Sequence, residues 1–241
     1  MLPFIKKILC VLISIVPFNM LRKGLYKRAL GYNISHDSYI GFLSYINVGK
    51  KCVIEKSKIG FLNRISCEYL CVYNGEIRKM NVIRNLHSFT MKEKAIIVSS
   101  NYFVSFSRMN ERSSFTIGKN TLITSNHYFD LENSISIGNN VVVGGSQTQM
   151  WTHGFDIYRN MISGSIKIGN NIYIGSRCLF CLGIEICDEV SIASGTTVSK
   201  SIKESGFYIS QSLVRKSDTQ SFHTDNKLFN HGRFFSKEKG L

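Results

Sequence analysis

Between Ile168 and Lys203 the chain repeats with a period of six. Ile168, Ile174, Phe180, Ile186, Ile192 and Val198 are apolar, and each is followed by a small residue: Gly169, Gly175, Cys181, Cys187, Ala193 and Ser199. Four positions after each leader stand Ile172, Cys178, Ile184, Val190, Thr196 and Ile202, types that suit an enclosed wall. The remaining positions are mostly polar, among them Asn170, Asn171, Arg177, Asp188, Glu189 and Lys203. Six is neither the period of a helix nor that of a flat strand. It predicts a parallel β-helix, in which three hexads close a triangular coil of about 18 residues. Successive coils stack about 4.8 Å apart through backbone hydrogen bonds, and the small residue lets the chain turn each corner. The repeat leaves the handedness open; the usual crossover rule favours a right-handed path.

Elsewhere the sixes come and go. Ile34, Ile40 and Ile46 begin them, the frame slips through Val48-Gly49 and Ile54, and it resumes at Ile59, Ile65, Cys71, Ile77 and Ile83. Residues 84–110 are irregular, with Ile96, Ile97 and Val98 as one strand. A clean frame returns at Ile117-Gly118, Ile123 and Phe129, then shifts to Ile137-Gly138 and Val143-Gly144. Gln149 to Ser165 interrupt the repeat before its final run. A frame slip in a solenoid marks a loop, and loops on a rigid scaffold carry function. The pattern divides the chain into an arm, 1–33, a β-helix, 34–203, and a polar tail, 204–241, that holds Phe222, Phe229, Phe234 and Phe235.

In the arm, Ile8 to Leu21 is apolar, broken by Ser14, Pro17 and Asn19 and flanked by Lys6, Lys7, Arg22, Lys23, Lys27 and Arg28. It falls short of the roughly 20 residues of a bilayer span, and no small-x-small cleavage site follows it. Two readings fit a helix here. Over residues 1–30 it lies on a membrane surface with its cations at lipid phosphates, or it caps the open end of the solenoid.

At 241 residues the chain is one elongated domain with small appendages. Its formal net charge of +14 seeks anions, such as phosphorylated cofactors, nucleotide sugars or anionic headgroups. No Lys/Arg run interleaved with aromatics is present, so no nucleic-acid partner is expected. Seven cysteines is an odd number, and Cys178, Cys181 and Cys187 fall on corner or inward positions. They read as small buried hydrophobes of a reducing, cytoplasmic compartment. Cys178-x-x-Cys181 has half of a zinc spacing, but its two positions point different ways within a hexad, so no metal is expected.

The interruption reads Gln149-Met-Trp-Thr-His-Gly-Phe-Asp156. A histidine on a loop leaving a rigid solenoid can reach a cleft, and neutral imidazole is the natural base for a hydroxyl near pH 7. A structural loop histidine is the plainer reading of His153. Asp156 either orients His153 or forms a turn. Trp151, the only tryptophan, either stacks on a sugar or anchors the loop. His127 and Asp130, one coil earlier, are candidates for substrate contact or plain corner residues. His36, His87, His223 and His231 read as surface.

On these residues the chain resembles the hexapeptide-repeat acyltransferases, of the sugar and polysaccharide O-acetyltransferase type. Beside the His-bearing loop, Ile168-Gly-Asn-Asn-Ile-Tyr-Ile-Gly-Ser176 is similar to the family's I-G-x-N-V-x-I-G-S, and Ile192-Ala-Ser-Gly-Thr-Thr-Val-Ser-Lys200 to its I-G-A-G-S-x-V-x-K. The likeness runs over 34–216 and is densest over 117–203. Tyr208 to Lys216 is a degraded echo of G-x-P-A-x-x-I-R without its proline. The resemblance implies an all-β fold, a left-handed parallel β-helix, with acetyl-CoA as acyl donor. It implies a homotrimer with each active site shared between two chains. It implies His153 as catalytic base, Ser176 facing the reacting carbonyl, and Ser176, Gly183, Ser194, Ser199 and Lys200 along the coenzyme. Ser194 stands where the family has alanine.

Members with a hydrophobic, basic N-terminus resemble enzymes of bacterial surface-polysaccharide assembly. That implies O-acetylation of a sugar or glycan acceptor bound for capsule, O-antigen or exopolysaccharide, at the inner face of the cytoplasmic membrane. N-acylation of an amino-sugar nucleotide and a non-catalytic, partner-binding solenoid are the alternatives. A zinc hydratase on this fold needs histidines at i and i+5, which the chain lacks. A nucleotidyltransferase needs a Gly-rich nucleotide domain that residues 1–33 cannot supply.

Overall fold

The computed structural model describes residues 2–107 and 110–210. The tail phenylalanines, His223, His231 and all but the start of the Tyr208–Lys216 echo lie outside the described residues.

The chain winds into a left-handed β-helix of about nine turns. Three ladders of parallel strands form its faces. On the first, Ile34, Ile54, Val72, Met91, Ile117, Ile137, Ile168, Ile186 and Ile202 stack in register. On the second, Ile40, Ile59, Ile77, Ile97, Ile123, Val143, Ile174, Ile192 and Tyr208 do the same. The third carries Ile46, Ile65, Ile83, Phe103, Phe129, Met150, Phe180 and Val198. All of these but Tyr208 are buried, as are the six fourth-position residues of the final run. Midway up, Phe103 stacks flat on Phe129 at 4.6 Å and crosses Phe115 edge-on at 4.7 Å, so aromatic rings fill the wider coils.

Two details differ from the hexad frame. Val72, not Cys71, points inward: from Ile65 to Val72 the step is seven residues rather than six. The coil also continues past Lys203: Gly206–Tyr208 pairs with Val190–Ile192. Ile186 pairs with Ile202 and Ile192 with Tyr208, sixteen residues apart rather than eighteen, which hides this last coil from a period of six.

The arm is two helices, α1 (Pro3–Ser14) and α2 (Asn19–Leu30), broken before Asn19 in a stretch that contains Pro17. They cap the first coil. An uncovered first coil would present unpaired backbone donors and acceptors, and helix side chains meet them one by one. Asn19 Oδ1 accepts from the Ile40 N–H, the Tyr26 hydroxyl from Ile46, and the Tyr32 hydroxyl from Val48. The buried Arg22 guanidinium donates to the Ile40 and Val16 carbonyls. The capping reading therefore describes the inner side of the arm. Its outer side exposes Phe4, Ile8, Val11, Leu12, Ile15 and Phe18 among others. No helix among the described residues is long and apolar enough to cross a membrane.

Among the described residues, two segments leave the prism between the third face and the first: 105–107 with 110–113, and 151–165. The second folds into a hairpin, His153–Phe155 antiparallel to Met161–Ser163. Both excursions depart from one edge.

Candidate active site

His153 opens the hairpin directly after the third-face strand Gln149–Met150. Its Nδ1–H donates to Asp130 Oδ2 at 2.7 Å; the imidazole is 14% exposed and the carboxylate not at all. Oδ2 also accepts from the Thr152 backbone N–H at 3.0 Å and the Thr152 hydroxyl at 3.1 Å. A carboxylate on Nδ1 holds the ring in the Nδ1–H tautomer. The lone pair of Nε2 is left unused by any protein group among the described residues. Aromatic rings surround the imidazole: Phe155 at 5.8 Å, Trp151 at 6.3 Å and Phe106 at 6.3 Å. Trp151 in turn leans on Tyr128 at 5.2 Å.

Phe106 is brought there by Glu132. One oxygen of this buried carboxylate accepts from the Ser105 hydroxyl and from the Phe106 and Ser107 backbone N–H groups. Burial pushes its carboxyl up, but the hydrogen bonds from Ser107, Ser105 and Phe106 outweigh that and hold it below the ordinary range. Asp130 and Glu132 thus anchor one excursion each. Neither anchoring role was read from the sequence. The signal available was two acids at i and i+2 on a solenoid strand end, where outward side chains lie under loops.

Asp156 does not orient His153. Its carboxylate accepts from the Tyr158 and Asn160 backbone N–H groups and the Asn160 side chain, the turn-forming role. Those bonds hold its carboxyl below the ordinary range. His127 is not open to a substrate either. It is fully buried at the corner between the second and third faces, its Nε2 2.9 Å from the Thr124 hydroxyl, its Nδ1 accepting from the Thr148 N–H. Burial lowers its pKa to about 4. Asp130 lies behind His153 rather than facing an acceptor.

The other expected residues fall on two edges of the prism. Gly183, Ser199 and Lys200 are exposed on the His153 edge, in the rungs that follow it. Gly183 has φ +74° and open space where a side chain would project, and the base of the hairpin at Gly164 abuts it. Ser176 and Ser194 lie on the opposite side of the third face, beside the His127 corner. The Ser176 N–H donates to Ser194 Oγ at 3.1 Å. A Cβ on Gly145, whose φ is +64°, would sit 1.7 Å from the Ser176 hydroxyl, so this glycine is required. One chain therefore does not bring Ser176 to His153. His36 is exposed as expected, whereas His87 is half-buried with its ring 5.1 Å from Tyr69.

Residues 115–145 and 165–200 match the family model for the hexapeptide repeat of succinyl-transferase. Over 78 residues the chain is 35% identical to UDP-3-O-acylglucosamine N-acyltransferase of Bordetella avium (strain 197N), a stretch that covers 32% of this chain and 20% of that protein. The chain thus spans about a fifth of the length of that relative. Among solved structures, the polySia specific acetyltransferase NeuO aligns at 15% identity over 79% of this chain and 91% of its own, with a TM-score of 0.40. The polysialic acid O-acetyltransferase OatWY aligns at 16% over 83% and 93%, with a TM-score of 0.39. The two matched segments build coils of this solenoid, so over that part of its length the chain is similar to hexapeptide-repeat proteins.

Proposed function

We propose that the chain is an acetyl-CoA-dependent O-acetyltransferase acting on a sugar hydroxyl of a surface-polysaccharide precursor. The His153–Asp130 pair carries this reading: an imidazole, fixed by a buried carboxylate, offers Nε2 at a loop-lined edge. Nε2 takes the proton of the acceptor hydroxyl as its oxygen attacks the thioester carbonyl. The tetrahedral intermediate collapses, the C–S bond breaks, and the thiolate leaves with the proton that His153 returns. Asp130 stabilises the imidazolium formed in between. Backbone N–H groups and Ser176 stabilise the oxyanion. Since Ser176 stands on another edge, the complete site takes Ser176 from a second copy, in a homotrimer. The donor lies along Gly183, Ser194, Ser199 and Lys200. Trp151 and its aromatic neighbours offer a flat apolar wall to the sugar.

Acetyl-CoA at 100 times its dissociation constant is expected to raise the free energy of unfolding by about 2.7 kcal/mol, read as a shift of the melting transition. A transition that ignores acetyl-CoA would leave only a partner-binding solenoid. The relative's name makes N-acylation of an amino-sugar nucleotide the second reading; transfer to an amino sugar but to no hydroxyl would select it.

The outer side of the arm supports a place for the protein on the inner face of the cytoplasmic membrane. Its exposed apolar residues are flanked by Lys6, Lys7, Lys23, Lys27 and Arg28, and no acid precedes Asp37. That composition suits an interfacial helix on anionic lipid. The chain is expected to float with phosphatidylglycerol vesicles and not with phosphatidylcholine. Changing Phe4, Ile8 and Val11 together to serine should release it without disturbing the cap. A wild-type chain that stays with the soluble fraction would end the membrane reading.

A further inference from the structure

We infer that the outer surface of the third face, between α1 and His153, binds an anionic group of the acceptor at a distance from the acylated hydroxyl. This rests on the acyl-transfer reading and extends it to the class of acceptor. The group is either the carboxylates of an acidic glycan or the phosphates that join a glycan to its carrier.

A cleft of about 700 Å³ lies there, a volume in the ordinary range of ligand sites. Lys6, Lys7, Arg64 and Arg84 line it, against a single acid, Glu68. Arg64 and Arg84 are exposed and form no ion pair among the described residues. Lys6 is held in place: its ammonium donates to the Val48 carbonyl and sits 5.8 Å from the centre of the Tyr32 ring. A concentration of unpaired cations in one concave surface focuses anions.

The ladder connects this cleft to His153. Asn47, Ser66, Arg84, Val104 and Asp130 occupy one column of the third face in successive rungs. Arg84 is thus two rungs from the carboxylate that holds His153, about 10 Å at 4.8 Å per rung, and the rung of Arg64 is about 14 Å away. Tyr45, Arg64, Val82, Tyr102 and Tyr128 form the neighbouring column, so a continuous surface runs from the cleft to the aromatic wall. The cleft lies in the rungs before His153. Gly183, Ser199 and Lys200 lie in the rungs after it. The cations are therefore on the wrong side to serve the phosphates of the donor, and an acceptor extended along the face would meet them.

Calorimetry with four probes tests this without turnover: an oligogalacturonate, inorganic pyrophosphate, an uncharged dextran oligomer and an oligonucleotide. The wild-type chain should bind at least one anion, more weakly as salt rises, and should not bind dextran. Arg64→Gln with Arg84→Gln should weaken anion binding by about tenfold or more, while Glu68→Gln should tighten it. All three side chains are at least partly exposed, so the melting transition should stay in place. Preference for oligogalacturonate assigns the cleft to glycan carboxylates, and preference for pyrophosphate to carrier phosphates. Equal binding of dextran, anion binding indifferent to the double substitution, no anion binding, or tighter binding of an oligonucleotide would each overturn the proposal. None of these outcomes bears on acetyl-CoA, so acyl transfer stands or falls separately.

Discussion

Alanine at His153 is expected to lower acetyl transfer by about 10²–10⁴-fold while the chain still folds, the range that general-base catalysis contributes. The imidazole is on a hairpin outside the prism and is no member of the three core ladders, so the chain is expected to fold without it. Asp130→Asn sharpens the test. Asp130 Oδ2 accepts three donors: His153 Nδ1–H, the Thr152 N–H and the Thr152 hydroxyl. An amide with its oxygen in the place of Oδ2 keeps all three bonds and sets its NH₂ in the place of Oδ1, which has no partner among the described residues. The amide carries no charge, so the imidazolium formed during transfer loses the carboxylate that stabilises it. Transfer should therefore fall in Asp130→Asn although the side chain is nearly unchanged in size. Asp156→Asn, by contrast, sits in the hairpin turn away from the imidazole and should retain most of the activity. Transfer rates with acetyl-CoA, read beside a melting curve for each variant, decide the matter. Near-wild-type transfer by His153→Ala removes His153 as the base, and equal effects at Asp130 and Asp156 remove the stabilising role of the Asp130 carboxylate.

The period of six was enough to read the solenoid, because its physics is local. Where a coil has eighteen residues, as from Ile168 to Ile186, each inward position recurs at a fixed offset and the frame is visible by eye. From Met91 to Ile117, from Ile137 to Ile168 and from Ile186 to Ile202 the coils are longer or shorter, and only backbone pairing shows which residues share a rung. His153 could be found in the sequence because an interruption beside the clearest run of repeats carried it. Its partner could not. Asp130 is 23 residues away, whereas Asp156 is three, and sequence proximity favoured the wrong carboxylate. A solenoid reverses that intuition: residues about one coil apart are neighbours, while residues three apart on a hairpin can face different ways. The same geometry sets Ser176 on another edge from His153, a separation that sequence order hides. The sequence left His127 open between substrate contact and a corner place for a related reason. Its neighbours in sequence are polar, but its neighbours in space are the corner residues above and below.

Those corner residues make His127 a switch for stability. Asn63, Asn81 and Asn101 form a buried polar ladder, each side-chain oxygen accepting the backbone N–H of the next rung. His127 continues it with Nδ1 in the place of the amide oxygen, accepting from the Thr148 N–H at 3.1 Å. Nδ1 must stay unprotonated for that bond to exist, and Nε2–H then donates to Thr124 Oγ1. Burial favours the neutral ring and lowers its pKa from 6.5 to about 4. Between those two values the unfolded chain binds the proton and the native chain does not. Stability is therefore complete above about pH 6.5 and is lost as pH falls toward 4, by a total of about 3 kcal/mol at 1.36 kcal/mol per pKa unit. His127→Asn restores the repeating residue of the ladder, with an oxygen where Nδ1 was and no group that titrates in this range. The variant is expected to lose some packing at neutral pH but to melt with a much flatter dependence between pH 7 and 4.5. The difference in slope between the two chains isolates His127 from every other titrating group, since they share the rest. Parallel melting curves across that interval would show that the corner histidine is protonated as easily folded as unfolded, and the ladder would then have to be redrawn without it.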